Sequence, residues 1–267
     1  MSGYISPSAS VHSSAQIADS VEVGPNCYVG PNVKIEGGTR LLANVVVRGH
    51  VTIGRYNTLH PGSVIGGEPQ DITYREEATT VAIGDHNIIR EGVTINRGTA
   101  KDIGRTTLGN HCYLMACSHV AHDCVVGDHV IIANGSMLGG HCHVHDYASI
   151  SGSVAAHHYV TIGSYAFVGG MSRVLQDVPP FMLSEGQPAK PRCVNMVALK
   201  RNDFPSDVMR ALSDTHRLIY RARVGLDRAR EILRKEDKLL PQVVNVLDFV
   251  QRQQGGRFGR AQQRKAA

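Results

Sequence analysis

An apolar residue recurs at every sixth position along most of this chain. The first run consists of Ile5, Val11, Ile17, Val23, Val29, Ile35, Leu41, Val47, Ile53, Leu59 and Ile65. The pattern returns over residues 83–95, slips by one residue, and continues from Leu108 to Val174 with Ala156 as the only smaller member. Neither an α-helix nor an ordinary strand has a six-residue period, so the pattern predicts a solenoid of short strands.

A second column of small residues supports this prediction. Four residues after many of the apolar positions lies a small side chain, as at Ala9, Ala15, Ser63, Ser118, Ser136, Ala148, Ala166 and Ser172. Three six-residue sides then make one 18-residue coil, and about nine or ten coils stack ~4.8 Å apart up to Val174. This hexapeptide pattern resembles that of the left-handed parallel β-helix, and the handedness is taken from that resemblance. Four cysteines share the small-residue column and are expected in the interior: Cys27, Cys112, Cys124 and Cys142.

Two segments interrupt the repeat, and a third region follows it. The first loop is GGEPQDITYREEATT, residues 66–80, and the second loop is NRGTAKDIGRTT, residues 96–107. Loops on a rigid scaffold are expected to contact substrate. Beyond a cluster of prolines the period becomes helical in three segments. We therefore expect a β-helix domain over 1–189, a C-terminal helical domain over 190–252 and a disordered basic tail over 253–267.

The charge distribution and the termini narrow the possible partners. The formal net charge is +5, and five basic residues follow the last acid, Asp248: Arg252, Arg257, Arg260, Arg264 and Lys265. The rest of the chain is near neutral, which argues against nucleic-acid binding. No apolar run approaches the ~18 residues of a membrane span, and the N-terminus lacks the pattern of a secretory signal. The six cysteines are expected to be reduced thiols in the cytoplasm.

The segment from His119 to Asp146 contains six histidines and two cysteines in 28 residues. His122 precedes Asp123, and His141 follows Asp123 by one 18-residue coil, so the three side chains are expected to be neighbours. An imidazole titrates near neutral pH and a carboxylate can orient it, which makes His122 a possible general base. The remaining histidines are read as polar residues at corners or subunit contacts, namely His111, His129, His143 and His145.

Several motifs together resemble one enzyme family. HVAHDCVVGD, QD in the first loop, TINRGT, LGGH, QDVPP and VNMVALKR are similar to segments of the acyl-[acyl-carrier-protein]–UDP-N-acetylglucosamine O-acyltransferases of lipid A biosynthesis, and the similarity covers nearly the whole chain. It implies transfer of a (3-hydroxy)acyl chain from acyl carrier protein to the 3-hydroxyl of the UDP-sugar by a cytoplasmic homotrimer. It implies no metal and no cofactor, because the phosphopantetheine arrives on the carrier protein.

The resemblance also implies individual roles. His122 corresponds to the general base, Asp123 to its orienting partner, and Gly140 to the residue whose N–H stabilises the oxyanion. The implied substrate contacts are Gln70, Asp71, His119, His141, His157, Gly170, Asn195 and Arg201. An acidic carrier protein is expected to meet the basic residues Lys190, Arg192, Lys200 and Arg201.

Four departures from the family pattern leave alternatives open: Asn96, Thr73, Val197 and Asn202. They allow a 3-amino sugar as acceptor, with an amide product. An acetyl-CoA-dependent hexapeptide acetyltransferase would share the prism and the histidine base. A zinc carbonic anhydrase on the same β-helix is disfavoured, since His119 and His122 are three residues apart instead of the typical five. A non-catalytic scaffold predicts that His122→Ala changes nothing.

Overall fold

The computed structural model describes residues 3–263, and its short strands form the three faces of a parallel prism. The first face contains Tyr4–Ile5, Glu22–Val23, Arg40–Leu41, Thr58–Leu59, Ile88–Ile89, Tyr113–Leu114, Ile131–Ile132, Ser149–Ile150, Phe167–Val168, Met182–Gly186 and Ala189–Val194. The second face contains Ser10–Val11, Tyr28–Val29, Val46–Val47, Val64–Gly67, Thr94–Asn96, His119–Val120, Met137–Leu138, Ala155–Ala156 and Arg173–Val174. The third face contains Gln16–Ile17, Val33–Ile35, His50–Ile53, Thr80–Ile83, Arg105–Leu108, Val125–Val126, His143–Val144 and Thr161–Ile162. The predicted solenoid is confirmed.

The strand register explains the interruptions of the repeat. Neighbouring coils pair residues 18 apart, as Tyr113 pairs with Ile131. Across the first loop the offset is 30 residues, from Thr58 to Ile88, and across the second loop it is 25, from Ile88 to Tyr113. The second loop therefore inserts 25 − 18 = 7 residues, one more than a side of the prism. That extra residue is the one-residue slip in the sequence pattern.

The interior of the prism is filled by the residues of the six-residue period. Ile35, Leu41 and Ile53 are among the largest fully buried side chains. Only the first coil departs from the expectation: Ile5 is 49% exposed, because no coil covers that end. The four cysteines expected in the interior are buried free thiols, while Cys117 and Cys193 are exposed.

One corner of the prism carries stacked rings that we call the aromatic column. Its members are Tyr56, His86, His111, His129, Tyr147, Tyr165 and Phe181. Adjacent ring centroids are 4.5 to 5.7 Å apart and the rings are within 19° of parallel. Each corner residue has a left-handed backbone, for example φ 56° at His111, which repeats the same turn in every coil. His111 and His129 are therefore packing residues of this corner.

The C-terminal region is a second packed unit. Its helices are Met196–Arg201, Ser206–His216, a π-helical turn Arg217–Arg221, Leu226–Lys235 and Pro241–Gly255. The three predicted helical segments are thus confirmed. The antiparallel pair Met182–Gly186 and Ala189–Val194 was not predicted, and the domain boundary expected at residue 190 falls inside its second strand. None of the helices among residues 3–263 is long and apolar enough to cross a membrane.

The expected disorder from residue 253 is wrong for the part that the structure describes. Arg260 is 5% exposed and donates to the Leu175 carbonyl at 2.7 Å. Ala261 N–H donates to Asp177 Oδ2 at 2.7 Å, and Gln262 Nε2 donates to Thr161 Oγ1 at 2.8 Å. The segment is ordered because it pairs with polar groups that the last coil leaves open. Residues 264–267 lie outside the described range.

Candidate active site

The 18-residue register places His122, Gly140 and His158 above one another, and we call this set the His122 column. Backbone hydrogen bonds hold the adjacent position in step, since His141 N–H donates to the His122 carbonyl at 3.0 Å. Asp123 and His141 form the neighbouring column, as the sequence predicted. The His122 and His141 rings meet edge to face, with centroids 5.0 Å apart.

His122 and Asp123 form a buried hydrogen-bonded pair. His122 Nδ1 lies 3.0 Å from Asp123 Oδ2, and since a carboxylate only accepts, the imidazole donates. Asp123 is fully buried and His122 is 7% exposed. This tautomer leaves His122 Nε2 unprotonated, which is the state that a general base requires.

Thr99 from the second loop holds the carboxylate. Its N–H donates to Asp123 Oδ1 at 3.0 Å and its hydroxyl donates to Oδ2 at 2.6 Å. Burial raises the pKa of Asp123, but the hydrogen bonds from His122 and Thr99 outweigh burial and keep that pKa below its ordinary value. Asp123 is therefore a carboxylate while it orients His122. Thr99 was quoted within TINRGT but not singled out from the sequence.

Gly140 lies against the imidazole. A Cβ at residue 140 would meet the His122 ring, with Cε1 at 2.4 Å and Nε2 at 2.6 Å. The N–H groups on either side donate to carbonyls, Gly139 to Ala156 and His141 to His122. Within residues 3–263, the Gly140 N–H has no such acceptor. The site thus combines a histidine nitrogen with an unpaired backbone donor beside it.

His141 has a second carboxylate partner that the sequence did not reveal. Its Nδ1 lies 2.8 Å from Asp102 Oδ2 in the second loop and 3.9 Å from Asp123 Oδ2. The ring also stacks on Tyr159 with centroids 4.4 Å apart. Asp102 lies in a loop whose path no periodicity encodes, so only its membership of a predicted substrate loop pointed to it.

His119 lies on the second face near this pair. Its Nδ1 is 2.7 Å from the Thr94 hydroxyl oxygen. Burial lowers the pKa of His119, and the positive charge of His122 lowers it further. His119 is therefore expected to be neutral at physiological pH.

The two loops meet through Asp71 and Lys101. Lys101 Nζ donates to Asp71 Oδ2 at 2.6 Å, while Thr73 donates its N–H and hydroxyl to Oδ1 at 2.9 and 2.8 Å. The hydrogen bond from Lys101, followed by those from Thr73, holds the pKa of Asp71 well below its usual range. Asp71 is therefore ionised and oriented, while Gln70 beside it is exposed.

His157 and Gly170 lie on the surface of later coils. His157 Nδ1 donates to the His158 carbonyl at 3.1 Å, and the residue lines a groove of about 370 Å³ with Arg173 and Lys190. Gly170 is exposed, and a Cβ there would lie 3.4 Å from the Gly152 carbonyl and Ser151 Oγ. A methyl group would therefore fit at residue 170.

Asn195 and Arg201 lie on the short helix Met196–Arg201. Asn195 is buried, caps that helix by accepting from Ala198 N–H at 3.2 Å, and donates to the Tyr165 carbonyl at 2.8 Å. Arg201 is exposed in the last turn. Among the described residues, neither side chain makes a hydrogen bond or ion pair with His122 or Asp123.

Metal-ligand geometry occurs at the same place as the histidine pair. His122, Asp123 and His141 each offer one ligand atom, and these atoms lie within 4.8 Å of one another. All three residues are buried. The sequence prediction of no metal did not consider this trio together.

Comparisons with known proteins identify the family. Residues 177–258 match the family described as Udp N-acetylglucosamine O-acyltransferase, Domain 2, and residues 32–67 and 105–140 match the bacterial transferase hexapeptide repeat. The chain is 42% identical over 247 residues to an acyl-[acyl-carrier-protein]–UDP-N-acetylglucosamine O-acyltransferase of Syntrophobacter fumaroxidans, covering 92% of this chain and 96% of the relative. A relative of the same name from Gloeothece citriformis is 43% identical, over 77% of this chain and 74% of its own length.

A solved structure agrees with the sequence relatives. The UDP-N-acetylglucosamine acyltransferase of Bacteroides fragilis superposes with a TM-score of 0.88 at 34% identity, over 93% of this chain and 97% of that chain. The prism is thereby confirmed as a left-handed parallel β-helix followed by a small helical region. Fold, repeat and full-length identity agree, and the chain belongs to the UDP-N-acetylglucosamine O-acyltransferase family.

Proposed function

We propose that the protein transfers a 3-hydroxyacyl chain from the phosphopantetheine thiol of acyl carrier protein to the 3-hydroxyl of UDP-N-acetylglucosamine, the first step of lipid A biosynthesis. The observation that carries the proposal is the buried His122–Asp123 pair with the Gly140 N–H beside it. Its relatives' names point to the same reaction. Thioester-to-hydroxyl transfer needs a base, an oxyanion donor and an acyl groove, which are the parts that side chains and backbone alone supply.

In the first half of the reaction, His122 Nε2 takes the proton of the sugar 3-hydroxyl while that oxygen attacks the thioester carbonyl carbon. Asp123 accepts from His122 Nδ1, so it holds the ring in the useful tautomer and stabilises the imidazolium that forms. A base so positioned contributes ~10²–10⁴-fold to the rate.

In the second half, the tetrahedral oxyanion accepts from the Gly140 N–H. An oxyanion donor of this kind contributes ~10²–10³-fold. The intermediate collapses, the carbon–sulfur bond breaks, and the protonated His122 returns its proton to the departing thiolate. The products are the 3-O-acyl sugar and the carrier protein with a free thiol, and the enzyme is regenerated.

The remaining predicted residues contact the substrates in this proposal. Asp71 is ionised and fixed by Lys101 and Thr73, so it can accept from sugar hydroxyls once Lys101 moves. His119 and His141 line the same corner as the base, whereas His157 and Gly170 lie on the coils where the acyl chain would run. Arg201 is free to pair with phosphate, because an exposed guanidinium presents several donors to an anion.

We also propose a cytoplasmic homotrimer with sites at subunit contacts. Asn195 and Arg201 have no contact with His122 within the described part of one chain, so their expected substrate roles require a neighbouring chain. Outward-facing apolar side chains on the prism, such as Ile88, Ile131 and Met137, suit such contacts. Sedimentation equilibrium with the purified protein tests this: a monomer at assay concentration would contradict it.

The reaction is tested by mixing the protein with UDP-N-acetylglucosamine and a series of 3-hydroxyacyl carrier-protein thioesters and following the product mass. We expect an ester product and its loss in His122→Ala. Parallel reactions with acyl-CoA donors test the acetyltransferase alternative. Transfer only to the 3-amino sugar would reassign the acceptor, and in that case Asn96, buried with an unpaired Oδ1, becomes the first residue to exchange. No transfer from any donor would overturn the proposal.

A further inference from the structure

We propose that Asp102, His122, Asp123 and His141 form a transition-metal site, and that Zn²⁺ bound there inhibits the enzyme reversibly. The metal is an inhibitor in this proposal and takes no part in acyl transfer. The site uses two imidazoles and two carboxylates, the nitrogen and oxygen ligands that zinc accepts.

The distances between ligand atoms are those of a small coordination sphere. Asp123 Oδ2 is 3.0 Å from His122 Nδ1 and 3.9 Å from His141 Nδ1. Asp102 Oδ2 is 2.8 Å from His141 Nδ1. With zinc–ligand bonds of about 2.0–2.1 Å, the ligands of a tetrahedral ion are about 3.3 Å apart, so shifts of a few tenths of an ångström suffice.

The charges and the burial also suit a divalent ion. The carboxylates of Asp123 and Asp102 neutralise the two positive charges, and the imidazoles bind as neutral ligands. His122, Asp123 and His141 are 7%, 0% and 4% exposed, so the rigid part of the site is desolvated before the ion arrives. Thr99 orients Asp123 as an outer hydrogen-bond partner, which is a common support for metal-bound carboxylates.

Asp102 distinguishes this cluster from an ordinary histidine–aspartate pair. Its side chain is 40% exposed on the second loop, so it can follow the ion as it enters. Without Asp102, the set has three protein ligands and one excess positive charge. We therefore expect Asp102 to raise the affinity without being required for folding.

The inhibition follows from the tautomer of His122, and this step rests on the proposed function. A metal on Nδ1 displaces the proton that now lies between His122 and Asp123. The neutral ring then carries its proton on Nε2, the nitrogen that must be free to deprotonate the sugar. Removal of the ion restores the original tautomer, so the inhibition is reversible.

The test uses Co²⁺ and Zn²⁺ with the full-length protein in chelator-free buffer and no substrate. We expect one Co²⁺ per chain with the intense visible bands of a tetrahedral nitrogen and oxygen site, and displacement by Zn²⁺. Asp102→Asn should weaken binding of both ions at least about tenfold. Asp237→Asn, which changes an exposed carboxylate in a turn of the helical region, should leave binding unchanged.

Cobalt–thiolate charge-transfer bands, or binding equal in the wild type and Asp102→Asn, would overturn the assignment of the site. Inhibition is measured separately, against each variant's own metal-free rate and with reversal by a chelator. Stoichiometric binding at this site without inhibition would overturn the inhibitory role. Because the spectra need no turnover, they test the site even if the proposed acyl transfer proves wrong.

Discussion

Two corners of the same prism carry histidines in register, yet they differ in what surrounds each ring. In the aromatic column, His111 lies between His86 and His129, with centroids 4.9 Å away on either side and nearly parallel planes. In the His122 column, glycine stands directly above the ring, so one side of the imidazole is open. The same register thus produces a packed stack at one corner and an accessible nitrogen at the other.

The carboxylates complete the difference. His122 donates to Asp123, which Thr99 holds in place. In the aromatic column, the described structure shows no side-chain hydrogen bond or ion pair to the His111 or His129 rings. A histidine at an 18-residue spacing therefore becomes chemically useful when its column contains a gap and its neighbour is an acid. It becomes structural when rings follow one another.

The largest expected effect comes from exchanging equivalent histidines at the two corners. His122→Ala should lower kcat by ~10²–10⁴-fold, because it removes the base. His111→Ala should leave kcat within about twofold, as is usual for an exposed substitution away from a site. Initial rates with the carrier-protein thioester measure both. Equal losses at the two corners would mean that the contrast between them does not concern catalysis.

The gap in the His122 column can be closed by one methyl group. Gly140→Ala would place a Cβ 2.4 Å from His122 Cε1, so the ring or the backbone must move. We expect kcat to fall by about 10²-fold, the size of a lost oxyanion donor or a misplaced base. Gly152→Ala is the matched control, since its Cβ would meet only the Asn134 carbonyl at 3.5 Å. If Gly140→Ala keeps the wild-type rate, the open side is not needed.

The carboxylate support can be weakened without removing the acid. Thr99→Val deletes the 2.6 Å hydrogen bond to Asp123 but keeps the backbone one. A hydrogen bond to a charged group is worth about 1.5–3 kcal/mol, and we expect part of it to appear as a roughly tenfold fall in kcat. Thr99→Ser retains the hydroxyl and should recover most of the rate. A serine variant as slow as the valine variant would assign the loss to packing.

The sequence predicted most of the corner that carries His122, because a strict period converts residue number into position. Adding 18 to 122 and to 123 gives Gly140 and His141, and both lie where this arithmetic puts them. The buried cysteines followed from the same count. The aromatic column obeys the period too, but its residues were read singly and not as a stack.

The parts that the sequence did not reveal lie where the period stops. Thr99 and Asp102 reach the site through a seven-residue insertion whose path depends on tertiary contacts. The strand Met182–Gly186 pairs with Phe167–Val168 at an offset of 16 residues, which the six-residue pattern does not contain. The segment 256–263 has the composition of a disordered tail, but it docks because Asp177 and the Leu175 carbonyl need donors.

The smallest expected effect concerns the stability of the aromatic column. His111→Ala removes two ring contacts, and since aromatic pairs are worth ~0.5–1.5 kcal/mol each, we expect exposure to leave a net loss of about 1 kcal/mol in the free energy of unfolding. Alanine and histidine are both strained at φ 56°, so the backbone does not bias the comparison. His111→Tyr restores the stack, as Tyr147 and Tyr165 do in later coils, and should match the wild type. Urea unfolding at one protein concentration measures all three proteins. If the alanine variant is as stable as the other two, the rings merely share a register, and the column's repetition reflects the shape of the turn and not attraction between its members.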